Sequence, residues 1–406
     1  MAALTGTLKI GEAISGFANS AIWLIVGAFL FSRGFIKTGL GKRIAYNLIA
    51  AFGSSSLRLA YALALSDLIL APATPSNTAR VGGVIMPITT SLAKAFGSEP
   101  QDGPRKIGSF LMQSIYQVNT ITSAMFQTSM AGNTLVAALA LQSFGIGITW
   151  GDWAMAAIVP GVIALIIMPY FIYKVYPPEI KDAREAQQMI REELKGLGKM
   201  SFQEWVMLGV FVLALVLWAT SQFTKIDATT VAFLGISILL ATSVLVWDDV
   251  KSEKGAWDTL VWMGTLMGFA GFLSKLGFIK WATVLVGAYI PEGSWIIAFV
   301  IAVLINTYSH YVFASLTAHI SAMFVAFSAI AISAGAPPML TLLMIAFTSN
   351  LCMSLTHYAA GPSPVIFNTG YVPQNTWWKL GFFSSVINLI IFVGLGSIWM
   401  KVIGMW

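Results

Sequence analysis

The stretch Leu70-Ala71-Pro72-Ala73-Thr74-Pro75-Ser76-Asn77-Thr78-Ala79 decides the fold, because it sets two prolines and a run of small polar residues between apolar segments. Proline lacks a backbone N–H and clashes with the preceding helical turn, so these prolines interrupt a helix. The apolar flanks, Ala60–Leu70 and Val81–Leu92, are each too short to cross a bilayer, which takes roughly 20 residues. The sequence therefore predicts a re-entrant helical hairpin with Ser76-Asn77-Thr78 at its tip.

A second interruption of the same kind lies near the other end of the chain. Phe313-Ala314-Ser315-Leu316-Thr317-Ala318 breaks the apolar segment Tyr308–Ile332 with small polar residues. Unpaired peptide groups are costly in hydrocarbon, so non-helical backbone survives there only where it lines a cavity. We therefore predict a second re-entrant hairpin with residues 315–317 at its tip.

Two further pairs of similar segments occur in the two halves of the chain. One pair precedes the two tips and the other follows them, so the order is the same in each half. They are Phe35–Leu40 with Leu273–Phe278, and Thr128–Asn133 with Thr356–Gly361. The second pair predicts unwound points at Gly132-Asn133 and at Gly361-Pro362, inside the helix that follows each hairpin. Three landmarks in one order indicate an internal repeat, and matched interruptions in two halves are typical of a transporter binding site.

The composition is that of a chain whose main solvent is lipid. Hydrophobic residues make up 57% and charged residues 10%, with a mean hydropathy of +0.79, whereas soluble domains carry about 25% charged residues. Many of the 14 tryptophans lie near the ends of apolar segments, as expected for interfacial belts. Predicted spans include Ile22–Phe31 with its flanks, Met155–Val175, Trp205–Thr220, Val231–Val246, Val261–Leu273, Ile296–Ile305 with its flanks, and Phe382–Val402.

Charge is concentrated in two loops, Arg33–Arg43 and Lys174–Glu204. Short basic loops face the cytoplasm, so we place both loops there. The second loop predicts an amphipathic surface helix and divides the chain into a first repeat (1–176), a cytoplasmic linker (177–204) and a second repeat (205–406). The net charge of +6 is not gathered into a dense basic patch, so no nucleic acid partner is expected.

The interruptions supply chemistry for binding anions. A free helix N-terminus carries about half a positive charge and unpaired N–H donors. Two tips and two broken helices aimed at one spot can therefore hold carboxylates without a buried arginine, while free carbonyl, Asn and Ser oxygens can instead hold a sodium ion.

Few ionisable groups lie at membrane depth, and each has two open interpretations. Asp67 and Arg80 are candidates for charge compensation or form a structural pair. His310 and His319 either compensate substrate charge or pack by hydrogen bonding, whereas His357, at the break itself, favours a functional role. The single cysteine, Cys352, supports neither a disulfide framework nor a metal cluster and is interpreted as a small buried hydrophobe.

These residues resemble the divalent anion/sodium symporter family, in particular its anion-exchanger branch of bacterial citrate/succinate and tartrate/succinate antiporters and the plastid 2-oxoglutarate/malate translocator. The resemblance runs along the whole chain. It rests on four stretches: Trp23–Phe29, Asp67–Arg80, Tyr308–His319 and Leu355–Pro364.

The resemblance implies a fold of eleven helices with two hairpins, a homodimer, and elevator-type movement of a transport domain against a scaffold. It also implies that the chain begins just before the family's fourth helix, without about three scaffold helices. Substrate carboxylates are held in the family by two Ser-Asn-Thr motifs. The implied substrate-binding residues are Ser76, Asn77, Thr78, Ser315, Leu316, Thr317, Thr356, His357, Gly361 and Pro362, with a candidate cation site at Asn77, Gly132 and Asn133.

One position departs from the family pattern: Leu316 stands where the second motif has asparagine. Leucine offers no side-chain oxygen, which puts a second sodium site in doubt and favours sodium-independent exchange.

We therefore classify the chain as an all-α, multi-pass protein of the cell (inner) membrane, an inverted-repeat secondary transporter with two hairpins and two broken helices. The expected function is exchange of malate, succinate, 2-oxoglutarate, citrate or tartrate, and the alternative is sodium-coupled symport. No HExxH pair, paired intramembrane aspartates or nucleophile elbow is visible, so an enzyme is not expected. No cofactor or metal is predicted, and sodium enters only with symport.

Overall fold

The computed structural model describes residues 3–277 and 295–406. The segment Leu273–Phe278, which was predicted to repeat Phe35–Leu40, therefore lies partly outside the described residues. The regular structure in the described ranges is helical, apart from one isolated bridge between Ser55 and Asp182. The main helices are α1 (Ser20–Thr38), α2 (Leu40–Phe52), α3 (Ser56–Leu70), α4 (Asn77–Arg80), α5 (Met86–Ala95), α6 (Gly108–Met125), α7 (Ala131–Phe144), α8 (Trp150–Val175), α9 (Arg184–Gly196), α10 (Phe202–Ala219), α11 (Ala228–Ala241), α12 (Trp247–Ser252), α13 (Lys254–Lys275), α14 (Trp295–Ser309), α15 (Leu316–Ser333), α16 (Pro338–Leu351), α17 (Pro362–Phe367), α18 (Gln374–Leu389) and α19 (Gly396–Val402).

Eight helical segments within the described residues are long and apolar enough to cross a membrane. Burial separates them into inner and outer elements. Every residue of α6 is buried, and so are nearly all residues of α16, whereas α10 buries only a third of its length. Because lipid is as apolar as a leucine side chain, peripheral helices can expose apolar faces and the polar groups collect inside. The two buried helices, α6 and α16, are the ones that lead into the predicted breaks.

The first hairpin consists of α3 and the helical rod formed by α4, a π turn (Val81–Ile85) and α5. Its tip lies where it was predicted, but its first arm is longer. Helix α3 begins at Ser56, which donates its hydroxyl to the Ile180 carbonyl, and continues through a 3-10 turn to Ala73. This arm reaches 18 residues, so length alone would count it as a span. The prediction that both flanks are too short was wrong for the first arm.

The second hairpin consists of α14 and α15, and the prediction for its start was also wrong. The segment around Ile296–Ile305 was expected to be a separate span, with the hairpin starting at Tyr308. In the structure this segment is the first arm, which ends in a 3-10 turn at His310–Val312 just before the tip. Both arms are apolar and 18 residues long when this turn is included, so hydropathy cannot distinguish an arm from a span.

Two interrupted helices follow the hairpins. The first interrupted helix is α6 and α7, with a non-helical break at residues 126–130, and the second is α16 and α17, with a break at 356–361. The expectation that Gly132-Asn133 would be unwound was wrong, because both residues lie in the first turn of α7. Gly361 does lie in the break, and Pro362 begins α17, where a proline costs no helical hydrogen bond.

The charged linker contains the predicted amphipathic helix, α9, whose buried face consists of Ala186, Gln187 and Ile190. This face lies on α2, where the Gln187 amide donates to the Ala50 carbonyl at 2.9 Å. A buried ion pair between Arg43 and Glu204 (Nε–Oε1 2.5 Å) joins α2 to the start of α10. The linker is thus anchored to α2 at two points.

Candidate functional site

The two hairpin tips have the same local structure. Each first arm ends in a 3-10 turn, three non-helical residues follow, and a serine caps the second arm. Ser76 Oγ accepts from the Ala79 N–H at 3.1 Å, and Ser315 Oγ accepts from the Ala318 N–H at 3.3 Å. Serine is a favoured N-cap because its hydroxyl satisfies a backbone donor that has no partner inside the helix. The short polar motifs therefore fix where both second arms begin.

The break of the second interrupted helix contacts the first tip and the turn that precedes the second tip. On the first hairpin, a Cβ placed on Gly361 would lie 2.1 Å from Thr78 Oγ1, so backbone and side chain touch there. On the second hairpin, the Tyr358 hydroxyl donates to the Tyr311 carbonyl at 2.7 Å. His310 Nε2 lies 2.8 Å from the Ala359 carbonyl. One short loop thus joins the first tip to the turn before the second tip, segments that lie more than 230 residues apart in the printed sequence.

The first interrupted helix completes this arrangement from the other side. A Cβ on Gly132 would lie 2.6 Å from Ile320 Cδ1, which belongs to the second hairpin. Asn77, at the first tip, directs its amide to Met353 Sδ at 3.6 Å, in the turn that precedes the second break. Each hairpin therefore packs on the interrupted helix of the opposite half.

His357 lies inside the second break, and its hydrogen bonding shows which ring nitrogen carries the proton. The Trp378 indole N–H donates to His357 Nδ1 at 3.0 Å. Because an indole nitrogen can only donate, Nδ1 must hold a lone pair, so the ring proton of neutral His357 is on Nε2. The ring packs among Phe367, Tyr358 and Trp378, with centroids 4.5–6.2 Å apart in this aromatic group. His357 is thus a fixed donor at the break.

Asp67 and Arg80 form a buried ion pair (Arg80 Nε–Asp67 Oδ1 2.9 Å) that fastens the first tip to the first break. The two Nη groups donate to the carbonyls of Thr74 and Ser129 and to the hydroxyls of Thr122 and Ser123. Guanidinium has five N–H donors, and five protein acceptors surround it. These contacts favour the structural interpretation of the pair, since no donor is left for an anion.

Asn133 likewise has a dense set of protein partners. Its amide donates to the carbonyls of Ser123 (2.7 Å) and Phe126 (2.9 Å), closing the end of α6, and its Oδ1 accepts from the Asn350 amide at 2.7 Å. This oxygen already pairs with the second half of the protein, whereas Asn77 Oδ1 accepts, among the described residues, only from the neighbouring Thr78 N–H. The cation site predicted at Asn77, Gly132 and Asn133 stays a prediction.

The other predicted site residues line the same region. Leu316 is the first residue of α15 and is buried, the position that Asn77 holds in α4. Ser315 is exposed and Thr317 half-buried. Thr356 is buried at the start of the second break, and within the described residues its hydroxyl finds no hydrogen-bond partner. The roles of these residues in binding stay predictions.

Comparison with known proteins identifies the family. The family model for the sodium:sulfate symporter transmembrane region matches residues 1–406. The chain belongs to this family. The predicted family resemblance is therefore confirmed, and the protein is a multi-pass membrane transporter rather than an enzyme.

Curated relatives of this symporter-family chain cover it almost completely. It is 52% identical over 405 residues to the putative malate transporter YflS of Bacillus subtilis (strain 168), spanning 100% of this chain and 85% of that protein. It is 46% identical over 406 residues to the chloroplastic dicarboxylate transporter 1 of Spinacia oleracea, spanning 99% and 71%. The Alcanivorax borkumensis YdaH transporter shares the fold, with a TM-score of 0.60 at 14% identity over 98% and 88% of the two chains.

Sequence reasoning missed one residue that supports the site of this symporter-family protein. Tyr116, buried in α6, donates its hydroxyl to the Met353 carbonyl and lies 2.8 Å from Ser363 Oγ, so it holds both ends of the second break. The available signal was the density of polar residues in the stretch 113–123, which is unusual for a fully buried helix. Of these residues, Tyr116 satisfies backbone carbonyls at the start of the second break.

Proposed function

We propose that this protein transports small dicarboxylates and exchanges one for another across the membrane. The observation that carries the proposal is the contact of one loop, residues 356–361, with the first hairpin tip and with the turn just before the second tip. A serine-capped helix start belongs to each of these two contact points, which suits a ligand with two carboxylates. The relatives named as malate and dicarboxylate transporters support the same substrate class.

The binding chemistry would rest on neutral donors. Arg80 is engaged by five protein acceptors, so backbone N–H groups, hydroxyls and the His357 ring proton remain to hold carboxylates. Helix N-termini favour negative charge without placing a full cation in the membrane. A site of this kind would select an anion and still release it, which transport requires.

Exchange is favoured over sodium symport by the second tip. Leu316 puts a buried apolar side chain where the first tip has an amide, and hard cations such as sodium take oxygen ligands. Sodium-coupled symport remains the alternative, with the Asn77 oxygen as a ligand.

An inverted repeat with elevator movement fits the same contacts. The base of the first hairpin bonds the charged linker through Ser56 and Ile180, while Trp295, at the base of the second, packs against Trp406. Crosswise packing of hairpins and interrupted helices would let this group move as one unit against α1, α10 and α11. We include a homodimer in this proposal.

Counterflow in proteoliposomes tests the function. Vesicles loaded with unlabelled malate are expected to accumulate labelled malate or 2-oxoglutarate without sodium, and empty vesicles are not, because exchange needs an internal partner. Uptake that requires a sodium gradient and no internal substrate would establish symport instead.

Asn77→Ala is the matched site variant in this assay, and exposed Asn47→Ala on α2 is its control. Loss of counterflow in the first and normal counterflow in the second are expected. Normal counterflow in Asn77→Ala would place the substrate elsewhere.

Trp378→Phe is expected to raise the apparent KM for the transported dicarboxylate, since it frees the His357 tautomer. The loss of one hydrogen bond is worth about 0.5–1.5 kcal/mol, or roughly 2- to 10-fold in KM. Trp399→Phe is the control, because this indole bonds the Met155 carbonyl at 2.7 Å, away from the loop. If Trp378→Phe and Trp399→Phe have the same KM for the dicarboxylate, His357 is not one of the donors to the substrate.

A further inference from the structure

Three side chains with metal-binding atoms meet where the second hairpin contacts the second interrupted helix. His310 lies in the turn before the tip, His319 in the first turns of α15, and Cys352 directly after α16. One ring nitrogen of each histidine and Cys352 Sγ all lie within 4.8 Å of one another. All three residues are fully buried.

The tautomers of both histidines follow from their hydrogen bonds. The Ala359 carbonyl, 2.8 Å from His310 Nε2, can only accept, so this nitrogen carries the proton. Ser309 donates its hydroxyl to the Asn306 carbonyl at 3.0 Å, so it accepts from His319 Nε2 at 3.1 Å. Each Nδ1 therefore holds a lone pair.

These two lone pairs are the unusual feature of the cluster. Neither Nδ1 has a hydrogen-bond partner in the part of the chain that the structure describes, although both are buried. A buried acceptor left without a donor costs about 1–3 kcal/mol. In metal sites, a ligating imidazole commonly donates its other ring N–H to a carbonyl or another oxygen, which orients the ring. His310 and His319 have this arrangement without a metal.

The surroundings suit a soft or borderline ion. Phe313 packs against both imidazoles, with ring centroids 6.4 Å from His310 and 5.0 Å from His319. This apolar wall limits water at the cluster. The path from the surface to the cluster is short, because Val312 is 83% exposed and Ser315 is also exposed, and both lie on the turn between the two histidines.

We propose that His310, His319 and Cys352 bind one divalent cation of the zinc class. Two imidazoles and a thiolate are ligands that such ions prefer, and three protein ligands leave a fourth position for water. Bond lengths of about 2.0–2.3 Å place neighbouring ligands roughly 3.3–3.7 Å apart. The ligand atoms, now within 4.8 Å of one another, would therefore have to approach by no more than roughly 1.5 Å. Binding releases the thiol proton, now directed at the Ser349 carbonyl (3.3 Å), to solvent as the metal–sulfur bond forms.

An ion bound there would tie the second hairpin to the second interrupted helix. Because His310 and His319 flank the tip, the ion would hold the tip against Cys352. This would prevent the local opening of the tip that admits and releases substrate, even though the hairpins and interrupted helices move between the two sides as one unit. The site is therefore an inhibitory one, and this consequence rests on the proposed transport function, whereas metal binding does not.

Cobalt(II) binding to the purified full chain tests the site directly. Cys352 is the sole cysteine in the sequence, so a thiolate-to-cobalt charge-transfer absorption reports this cluster alone. One equivalent of cobalt is expected to give this absorption and zinc to displace it. Cys352→Ser, which keeps the hydrogen bond to Ser349, is expected to lose it. A wild-type protein without the absorption would overturn the proposal.

Zinc inhibition of malate counterflow tests the consequence. Loss of a ligand is expected to raise the zinc concentration for half-inhibition at least about tenfold in Cys352→Ser, with basal exchange unchanged. Comparing both proteins in one buffer cancels chelation of zinc by malate. Equal sensitivity, or stoichiometric binding without inhibition, would overturn the inhibitory role. Because cobalt absorption needs no transport, failure of the proposed function is distinguishable from failure of the site.

Discussion

Gly361→Ala is expected to reduce transport to background while the protein still inserts in the membrane. The added Cβ would lie 2.1 Å from Thr78 Oγ1, whereas ordinary contacts begin near 3.4 Å, so the first tip and the second break must separate by about 1 Å or more. That separation would break the contact between the first tip and the loop, which is also bonded to the turn before the second tip. Counterflow in proteoliposomes, normalised to the amount of reconstituted protein, measures the effect.

Two controls separate this steric effect from a general loss of glycine. In Gly209→Ala on α10, no described atom outside the neighbouring backbone of that helix lies within 4 Å of the new Cβ, so this variant is expected to transport normally. The same clash should lower the thermal unfolding midpoint of Gly361→Ala. Adding Thr78→Ala removes the clashing oxygen and leaves a 3.3 Å contact between the new Cβ and Cβ of residue 78, so the midpoint should return toward the wild-type value. Normal counterflow in Gly361→Ala would show that the tip does not need this contact.

Arg80→Met is expected to lower the free energy of unfolding by about 3–5 kcal/mol, because it leaves the buried Asp67 carboxylate without its cation. It also leaves the carbonyls of Thr74 and Ser129 without a donor. Transport would be lost with the fold, so stability is the informative quantity. The fraction of monodisperse protein that survives a heating series in detergent measures it.

The controls for this variant lie on the same hairpin. Arg58→Met removes an exposed arginine whose described side-chain bond is to Ser54 Oγ, and it should change stability by no more than about 0.5 kcal/mol. Asp67→Asn combined with Arg80→Met removes the stranded charge and should recover part of the loss. Equal stability of Arg80→Met and wild type would contradict the structural role of the pair.

The tips could be predicted from the sequence because their structure is local. Pro72 and Pro75 disrupt the α-helix before the first tip, and a serine just before a helix start caps that helix. Proline alone does not decide the matter, because Pro160 and Pro169 lie inside α8. The same reasoning misplaced the unwound segment of the first interrupted helix by several residues, because Gly132 and Asn133 are helical. Glycine permits an unwound backbone but does not require it, and here the glycine serves the close approach of Ile320.

The ends of the hairpin arms could not be predicted from hydropathy. An arm and a span both present about 18 apolar residues, and only the packing of α14 against α15 shows that the chain turns back. Polar residues gave the better signal, since the buried polar side chains of α6 mark the helix that supports the break.

The sequence by itself determined that this chain is a polytopic membrane protein, that its helices break at two tips, and that it belongs to a transporter family. The first two properties follow from composition, proline and capping chemistry, which act between near neighbours. The third rests on the resemblance of four stretches of the sequence to the family. Only the tertiary structure shows that the Arg80 guanidinium donates to five protein acceptors, and that His310 and His319 form a buried cluster with Cys352. Such groupings join residues distant in the chain, and their geometry is set by how whole helices pack rather than by any local preference.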